Sequence, residues 1–328
     1  MVRNRWTRLY AVAAALVATL AGSGVIAQDT FPSRTVRIVV PFSAGGISDV
    51  VARIIAQELS TSWRQRVIVE NAPGAGGVTG VNVLAKSAPD GYSLLLMNPA
   101  GLAILPSLFK NVPFDVSRDL SAVSLVAQSP YVMVVNAGVP LNDMRGLIAL
   151  AKQKPGELNY GSGGNGTVSH LAGVVFQDLS GIRWVHVPYK GDSAVMPDLL
   201  AGRLDIVMMT LPTALPQIRN GRLKALAVTG AERAPDLPQV PTVIESGVPG
   251  FEYAAWQGVF APALTPGPVI RKLHDDIVAV LQQADTQARL AQFGLKAAWS
   301  NTEAFQRALV QDVDRWAQVV RKAGMKPE

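Results

Sequence analysis

The sequence predicts an α/β protein of two lobes, each built on a mainly parallel sheet with helices on its faces. Apolar runs that fit buried strands alternate with amphipathic stretches that fit helices along the whole chain. The pattern begins again near residue 130 and closes with three helical stretches. The chain has 328 residues, and a single hydrophobic core rarely grows beyond ~250–300 residues, so two lobes are favoured over one.

The first part of the chain has a β-α-β-α-β order, which is typical of parallel strands joined by crossover helices. In its first helix, Val51, Ile55 and Leu59 share one face, as a helix packed on a sheet requires. The predicted elements are a strand at Val36–Phe42, a helix at Asp49–Leu59, a strand at Val67–Val69, a helix at Val78–Lys86 and a strand at Ser93–Met97.

The second part repeats this alternation, with strands predicted at 131–136, 158–160, 184–188, 204–209 and 225–229 and helices between them. A long run at 123–136, interrupted by Pro130, is predicted to cross into the second lobe, and Trp256–Ala261 to return. Hinges are therefore expected near Ser129-Pro130 and Trp256–Gly258. The predicted boundaries are 28–128 for the first part of lobe 1, 129–253 for lobe 2, and 254–328 for the return crossing and the rest of lobe 1.

The N-terminus has the features of a secretory signal peptide. Arg3, Arg5 and Arg8 precede an apolar run from Leu9 to Leu20, and small residues follow up to Ala27. The alternative is an uncleaved membrane anchor, but the run is shorter than the about 20 residues that a spanning helix needs. We therefore expect residues 1–27 to be a signal peptide cleaved near Ala27, and the mature protein to lie in the periplasm.

Composition and charge argue against several classes of function. There is no cysteine, which excludes disulfides, thiolate metal sites and cysteine nucleophiles. Without the three arginines of the leader, 27 basic side chains stand against 24 acidic ones with no basic cluster, so nucleic acid is not an expected partner. The three histidines lack metal-site spacing, and neither G-x-S-x-G nor H-E-x-x-H occurs. We therefore expect no enzymatic activity, metal or cofactor.

Three glycine-rich turns lie where predicted strands lead into helices, and they carry almost no charge. They are residues 41–49, 73–80 and 161–167. Backbone N–H groups at the start of a helix favour anions, and open parallel sheets bind ligands beyond the carboxyl ends of their strands. The turns therefore predict a cleft for a small anion. The alternative is that the glycines only permit tight turns with positive φ.

Three polar residues near these turns are candidates for supporting roles. Asp49, one helical turn after Gly45-Gly46, is predicted to accept N–H groups of the loop, unless it is a routine acid favoured by the helix dipole. His170, in the first turn after Thr167, is predicted either to support the third turn or to face the cleft. Asn98 follows the third strand and is predicted either to reach the cleft or to cap a helix.

Short motifs follow one another along nearly the whole mature chain. They include Pro41-Phe42-x-x-Gly45-Gly46-x-x-Asp49, Val69-Glu70-Asn71-x-Pro73-Gly74-Ala75-Gly76-Gly77, Pro89-Asp90-Gly91-Tyr92, Leu158-Asn159-Tyr160-Gly161-Ser162, His186-Val187-Pro188-Tyr189-Lys190-Gly191 and Val240-Pro241-Thr242. In this order they resemble the periplasmic receptors of tripartite tricarboxylate transporters, often called Bug proteins. The match is spread over many motifs, which makes a chance resemblance very unlikely.

The resemblance implies a two-lobed, type II-like periplasmic-binding-protein fold that closes on small carboxylates. In that family, the loop that matches Phe42–Gly46 holds a carboxylate through backbone groups and ordered waters, and the loop that matches Asn165–Thr167 faces it. The ligand-binding residues expected from the cleft and the resemblance are Phe42, Ser43, Ala44, Gly45, Gly46, Asn98, Asn165, Gly166, Thr167 and Thr210, with Asp49 and His170 as loop support.

One position departs from the family pattern. Many relatives carry an acidic or amide residue after the strand that here ends in Met209-Thr210, and this change argues against a ligand that bears an amine. The resemblance thus implies a receptor, expected to be a monomer, that captures a mono- or dicarboxylate for the membrane subunits of a transporter. The alternatives are a sensing receptor with a signalling partner, and an exported hydrolase or isomerase on the same fold.

Overall fold

The computed structural model has an α/β fold in which strands from both halves of the chain join one sheet. It describes residues 31–165, 167–189, 192–322 and 324, with residues 192 and 193 as backbone only. The predicted signal peptide therefore lies outside the described residues. The strands are β1 Val36–Val40, β2 Val67–Asn71, β3 Ser93–Met97, β4 Leu120–Asn136, β5 Asn159–Ser162, β6 Val185–Pro188, β7 Ile206–Thr210, β8 Leu223–Val228, β9 Ala254–Pro262 and β10 Lys296–Ala297.

Helices connect nearly all of these strands, and none in the described part of the chain is long and apolar enough to cross a membrane. They are α1 Ile47–Trp63, α2 Val78–Ala85, α3 Pro99–Leu108, α4 Val116–Asp119, α5 Met144–Gln153, α6 Val168–Ser180, α7 Asp192–Leu200, α8 Leu211–Arg219, α9 Gly267–Leu281, α10 Ala284–Ala291 and α11 Thr302–Lys322. A short 3₁₀ turn at Ala75–Gly77 precedes α2.

The strand order explains why the fold has two lobes. The path through the sheet is β2-β1-β3-β9-β4-β7-β5-β6, with β8 and β10 also paired to β4. In the first lobe β1, β2 and β3 are parallel, and in the second β5, β6 and β7 are parallel. The carboxyl ends of the parallel strands within a lobe therefore share one edge, which is where the glycine-rich turns begin.

Strand β4 is one continuous strand, whereas the sequence suggested an interruption at Pro130. Its first part pairs with β9 as far as Pro130, opposite Ala254, and its second part pairs with β7 from Tyr131 onwards. A proline has no N–H for a ladder hydrogen bond. Here it stands where β4 changes partner, so the missing donor does not break either ladder. Strands β4 and β9 thus form the two crossings, and the exact lobe boundaries stay predictions.

The extent of helix α3 was not predicted from the sequence, which offered only Asn98 as a possible helix cap. Its residues PAGLAILPSL are almost all apolar, so they show no polar face and no helical period. The N-terminal signal is Asn98 followed by Pro99, a side-chain cap with proline in the first turn. The short strand β10, only two residues long, was also not predicted, because it is defined by pairing with β4 rather than by its own pattern.

Aromatic side chains continue the core from the second lobe to the C-terminal helix α11. Ring centroids lie 4.5 Å apart for Tyr160 and Trp184, and 5.4 Å apart for Trp184 and Phe176. The ring of Phe251 packs on Phe176 and on Tyr253. The Tyr253 ring in turn lies 5.8 Å from the ring of Trp316 in α11. Helix α11, placed in the first lobe by the sequence, therefore packs against the second lobe as well.

Candidate functional site

The first glycine-rich turn joins β1 to α1 and presents backbone rather than charge. Residues 43–46 are exposed, and none carries a charged side chain. Gly45 has φ +85°, a conformation that favours glycine, whereas Gly46 has φ −77° and ψ 168° and is the N-cap of α1. Positive φ, which the glycine-rich turns were expected to permit, therefore occurs at Gly45. The backbone of Gly46 is extended, a conformation open to any residue.

Asp49 holds this loop from beneath. Its side chain is 3% exposed and accepts the N–H of Gly45 at 2.9 Å, Nδ2 of Asn71 at 3.0 Å and Nε of Arg53 at 2.9 Å. Asn71 Nδ2 also donates to the carbonyl of Phe42 at 3.1 Å, so both ends of the loop are tied to one pair of side chains. The hydrogen bond from Arg53 lowers the pKa of Asp49 to about 2, and the carboxylate therefore stays ionised.

The second turn packs directly beside the first. Gly77 has φ +113°, and a Cβ built there would lie 3.7 Å from Pro41 Cβ and 3.8 Å from Phe42 Cζ. At Gly80, a Cβ would lie 2.7 Å from Pro41 Cα, so only glycine lets α2 approach the first turn so closely. Ala75 also has positive φ, at 44°, which is unusual for a residue with a Cβ. The fold thus brings the ends of β1 and β2 together.

Asn98 follows β3 at the same edge and caps α3. Its Oδ1 accepts the N–H of Gly101 at 3.0 Å, the arrangement expected of a helix N-cap. Of the two roles that the sequence allowed, capping is therefore present in the structure. The residue is half-buried, and a contact between Asn98 and a ligand stays a prediction.

The third turn leads from β5 into α6. Thr167 is the N-cap of α6: its Oγ1 accepts the N–H of His170 at 3.3 Å and donates to the carbonyl of Gly164 at 2.8 Å. Gly164 has φ +132°, and a Cβ there would lie 2.8 Å from the Tyr189 carbonyl oxygen. Asn165 is exposed at the tip. Gly166, also named as a ligand-binding residue, lies outside the described residues.

Two histidines form a stacked pair beneath this turn. The rings of His170 and His186 are nearly parallel with centroids 3.8 Å apart, and His186 Nε2 lies 2.6 Å from Ser162 Oγ. Burial, together with the neighbouring His186, lowers the pKa of His170 to about 4, and burial also lowers the pKa of His186. Both rings are therefore neutral at pH 7. His170 lies against the turn, as a supporting residue would.

We expect this pair to make the protein less stable in mild acid. The folded state keeps the pKa of His170 at about 4, below the 6.5 of an ordinary histidine, so the unfolded chain binds the proton more readily. The contribution is complete above pH 6.5 and is lost as the pH falls from 6.5 towards 4. Between pH 7.5 and pH 5 the free energy of unfolding should fall by up to about 2 kcal/mol from this group.

Urea denaturation at the two pH values measures this fall. Asp49 does not contribute within that window, because its pKa of about 2 keeps it ionised throughout. The variant His170→Gln removes the titrating ring and should flatten the pH dependence. An equally steep fall in His170→Gln would contradict the assignment.

Thr210 ends β7 and precedes α8. Its Oγ1 lies 2.9 Å from Thr213 Oγ1, and in the strand ladder it stands opposite Tyr131 of β4. This placement puts Thr210 beside the first crossing and at the carboxyl end of its strand. A hydroxyl pair, and no acid or amide, therefore stands directly after this strand.

The predicted residues therefore fall into two groups, one at each lobe's sheet edge. Phe42–Gly46, Asn98 and Asp49 lie at the ends of β1 and β3, and Asn165, Thr167, His170 and Thr210 lie at the ends of β5 and β7. Within the described residues no group of three or more acidic or histidine side chains could hold a metal ion.

A buried hydrogen bond that was not predicted from the sequence joins the start of α1 to the return crossing. Ser48 Oγ donates to Gln257 Oε1 at 2.8 Å, and both residues are buried. Gln257 stands opposite Ala127 where β9 and β4 run together. The available signal was a glutamine in an otherwise apolar strand. The contact of His186 with Ser162 was also not predicted. In both pairs the partners are far apart in the sequence, so no local pattern connects them.

Comparison with known families gives a match along most of the chain. The model of the tripartite tricarboxylate transporter family receptor, TctC, matches residues 51–325. Protein BugT of Bordetella pertussis is 37% identical over 321 residues, which covers 98% of both chains. These matches agree with the resemblance identified from the motifs.

Solved structures of similar sequence share the fold. The periplasmic binding protein BugD is 36% identical with a TM-score of 0.74, and covers 91% of this chain and 100% of its own. The R. palustris protein Rpa4515, solved with adipate, is 32% identical with a TM-score of 0.78, covering 91% and 100%. MatC of Rhodopseudomonas palustris, solved with bound malate, is 31% identical with a TM-score of 0.74, covering 88% and 100%. The predicted two-lobed periplasmic-binding-protein fold is thereby confirmed.

Proposed function

Because this chain belongs to the tripartite tricarboxylate transporter receptor family, we propose that it captures a small mono- or dicarboxylate between its two lobes and delivers it to a membrane transporter. The family consists of periplasmic solute receptors rather than enzymes, which confirms the expectation that this chain is not an enzyme. Export through a signal peptide at residues 1–27 is part of the proposal.

The observation that carries the proposal is the support beneath the first turn. An anion site built from backbone N–H groups requires a loop of defined shape with no competing negative charge. Asp49 provides the shape by accepting the N–H of Gly45. Its own charge is buried, is paired with the guanidinium of Arg53 and accepts a hydrogen bond from the Asn71 amide. Residues 43–46 are exposed and uncharged, so the loop adds no negative charge that would repel a carboxylate.

The two lobes would each supply part of the site. In the first lobe the proposed ligand-binding residues are Phe42, Ser43, Ala44, Gly45, Gly46 and Asn98; in the second they are Asn165, Gly166, Thr167 and Thr210. Malate and adipate in MatC and Rpa4515 support a carboxylate of this size range. None of the proposed ligand-binding residues is acidic, which argues against a ligand that carries an ammonium group.

The proposal predicts that carboxylates stabilise the mature protein. A ligand that binds only the folded state raises the free energy of unfolding by RT ln(1 + [L]/Kd), about 2.7 kcal/mol at a hundredfold excess over Kd. We expect the melting temperature to rise with aliphatic, hydroxylated or aromatic mono- or dicarboxylates, without added metal or nucleotide. Native mass spectrometry of the freshly purified protein identifies any carboxylate that it retains.

Controls separate the carboxylate from its carbon skeleton. The amides and methyl esters of the same acids keep size and shape but lose the charge, and they should not shift the melting temperature. Amines, sugars and nucleotides test the other ligand classes. If only those classes raise the melting temperature, the proposed function is wrong.

A further inference from the structure

A glycine between α10 and β10 lies unusually close to the second lobe. Gly294 has φ +64° and follows the last turn of α10, where its N–H donates to the carbonyl of Ala291 at 2.9 Å. A Cβ built on Gly294 would lie 2.5 Å from Cγ and 3.0 Å from Cβ of Pro212. A Cβ essentially never lies within 3.0 Å of a non-bonded carbon atom, so a residue with a side chain does not fit at 294 in this arrangement of the lobes.

Both partners stand at the edges of the cleft, next to the crossing strands. Lys296, two residues after Gly294, pairs with Gln128 of β4, just before the first crossing. Thr210, two residues before Pro212, pairs with Tyr131 of β4, just after it. The contact therefore bridges the two lobes across the crossing point.

The contact lies between the two sheet edges at which the cleft is predicted. Strand β9 is antiparallel to both β3 and β4, so β4 approaches the crossing in the same direction as β1 and β3. Gln128 is thus at the edge where β1 and β3 end, the edge with the first glycine-rich turn. Pro212 likewise follows the carboxyl end of β7, the edge with Thr210. When the lobes close, these two edges approach each other.

We propose that Gly294 and Pro212 form a closure stop, a backbone-to-ring contact that sets how closely the lobes approach. The absent Cβ at 294 permits the closed state, and any side chain there holds the edges apart. This proposal rests on the proposed function, since it assumes that the lobes close on a ligand. Gly294 and Pro212 would then affect ligand affinity by setting the distance between the lobes, although neither is among the proposed ligand-binding residues.

The variant Gly294→Ala tests the stop, with Gly181→Ala as its matched control. Both glycines follow a helix with nearly the same φ, +64° and +68°, so alanine strains the backbone equally at each. A Cβ at Gly181 would meet nothing within 4 Å, whereas at Gly294 it meets Pro212. A difference between the two variants therefore reports the contact with Pro212 and not the backbone strain.

The measurement is the distance between the lobes in the full mature chain. Because the protein has no cysteine, Lys86→Cys and Lys152→Cys place one spin label on each lobe at exposed positions, the first at the C-terminal cap of α2 and the second within α5. Pulsed EPR distances are recorded alone and with malate or adipate. We expect Gly294→Ala to shift the distribution to longer distances than the wild type and Gly181→Ala, and to weaken carboxylate binding by about tenfold. In the double variant Gly294→Ala/Pro212→Ala, the loss of Pro212 Cγ should reverse part of this shift.

The outcomes separate this proposal from the proposed function. If Gly294→Ala gives the wild-type distribution under all conditions, the closure stop is wrong. If Gly294→Ala lengthens the distribution while neither carboxylate changes the wild-type one, the contact limits the approach of the lobes, but closure on malate or adipate is wrong. An equal lengthening in Gly181→Ala would assign the effect to backbone strain and overturn the stop.

Discussion

Replacing Asp49 with alanine is expected to lower the affinity for a carboxylate by at least about tenfold while the protein still folds. The substitution removes the acceptor of the Gly45 N–H and of Arg53 Nε, so one end of the first turn loses its anchor. Arg53 is 55% exposed and regains solvent, which limits the cost to folding to about 1–2 kcal/mol. The loop should then sample shapes that do not align its N–H groups.

Two measurements check this result. Calorimetry with malate and adipate gives the affinity, and hydrogen exchange of residues 43–46 gives the order of the loop without any ligand. Amide exchange in that loop should speed up in Asp49→Ala and stay at the wild-type rate in Asp275→Ala, a variant that removes an exposed acid from helix α9.

The variant Asp49→Glu distinguishes loop support from a helix-dipole effect. Glutamate keeps a negative charge in the first turn of α1 but moves the carboxylate away from Gly45 by one methylene. If the charge acts only on the helix dipole, Asp49→Glu restores both affinity and slow exchange. That result, or an unchanged affinity in Asp49→Ala, would remove Asp49 from the site.

Replacing Gly173 with alanine is expected to destabilise the protein by about 2–3 kcal/mol, although alanine is the better helix former. Gly173 lies inside α6, and a Cβ there would lie 2.5 Å from Cε1 and 2.8 Å from Cζ of Tyr160. Tyr160 is 1% exposed and stacked on Trp184, so its ring has no room to move aside. The steric cost therefore exceeds the gain of 0.5–1 kcal/mol in helix propensity, roughly the usual difference between these residues.

The same substitution should also disturb the hydrogen bonds of the third turn. The Tyr160 hydroxyl donates to the carbonyl of Ser169 at 2.5 Å, and Ser169 Oγ accepts the N–H of Gly163 at 3.2 Å. A displaced ring should shift both bonds and lower the affinity for malate and adipate. Thermal and urea denaturation measure the stability, with roughly 2–4 °C of melting temperature for each kcal/mol in a chain of this size.

Gly101→Ala is the matched control, because Gly101 also lies in a helix. A Cβ at Gly101 would make only ordinary contacts, at 3.7 Å or more. We expect Gly101→Ala to be neutral or to stabilise by up to about 1 kcal/mol. If Gly173→Ala also raises the melting temperature, the tight packing of α6 on Tyr160 is wrong.

The features that could be predicted from the sequence are those formed by neighbours along the chain. The helix period in Asp49–Leu59 and the apolar strands around it need only local pattern. The bond from Gly45 to Asp49 spans four residues, so its possibility was visible in the motif itself. Thr167 as the cap of α6 is equally local. The glycine-rich turns were foreseen at strand ends for this reason.

The missed features depend on partners far apart in the sequence or on missing periodicity. Helix α3 is apolar on all sides, so no amphipathic pattern marks it. The second anchor of the first turn, Asn71 on Phe42, exists only because β2 pairs beside β1. The stacking of His170 on His186 likewise requires that β5 and β6 be neighbours. A Gly-Gly pair also does not reveal which glycine takes positive φ, and only the structure assigns it to Gly45.

The sequence by itself determined the α/β class, the two-lobed order, the family and the turns that carry the proposed site, because these follow from local periodicity, turn chemistry and motif order. Tertiary structure alone decided how those turns are held and how closely the lobes approach. Ser48 meets Gln257, and Gly294 meets Pro212, through contacts between segments that only the sheet order and the two crossings bring together. Such contacts leave no periodic signal, because each depends on a few atoms whose distance is set by the packing of the whole chain.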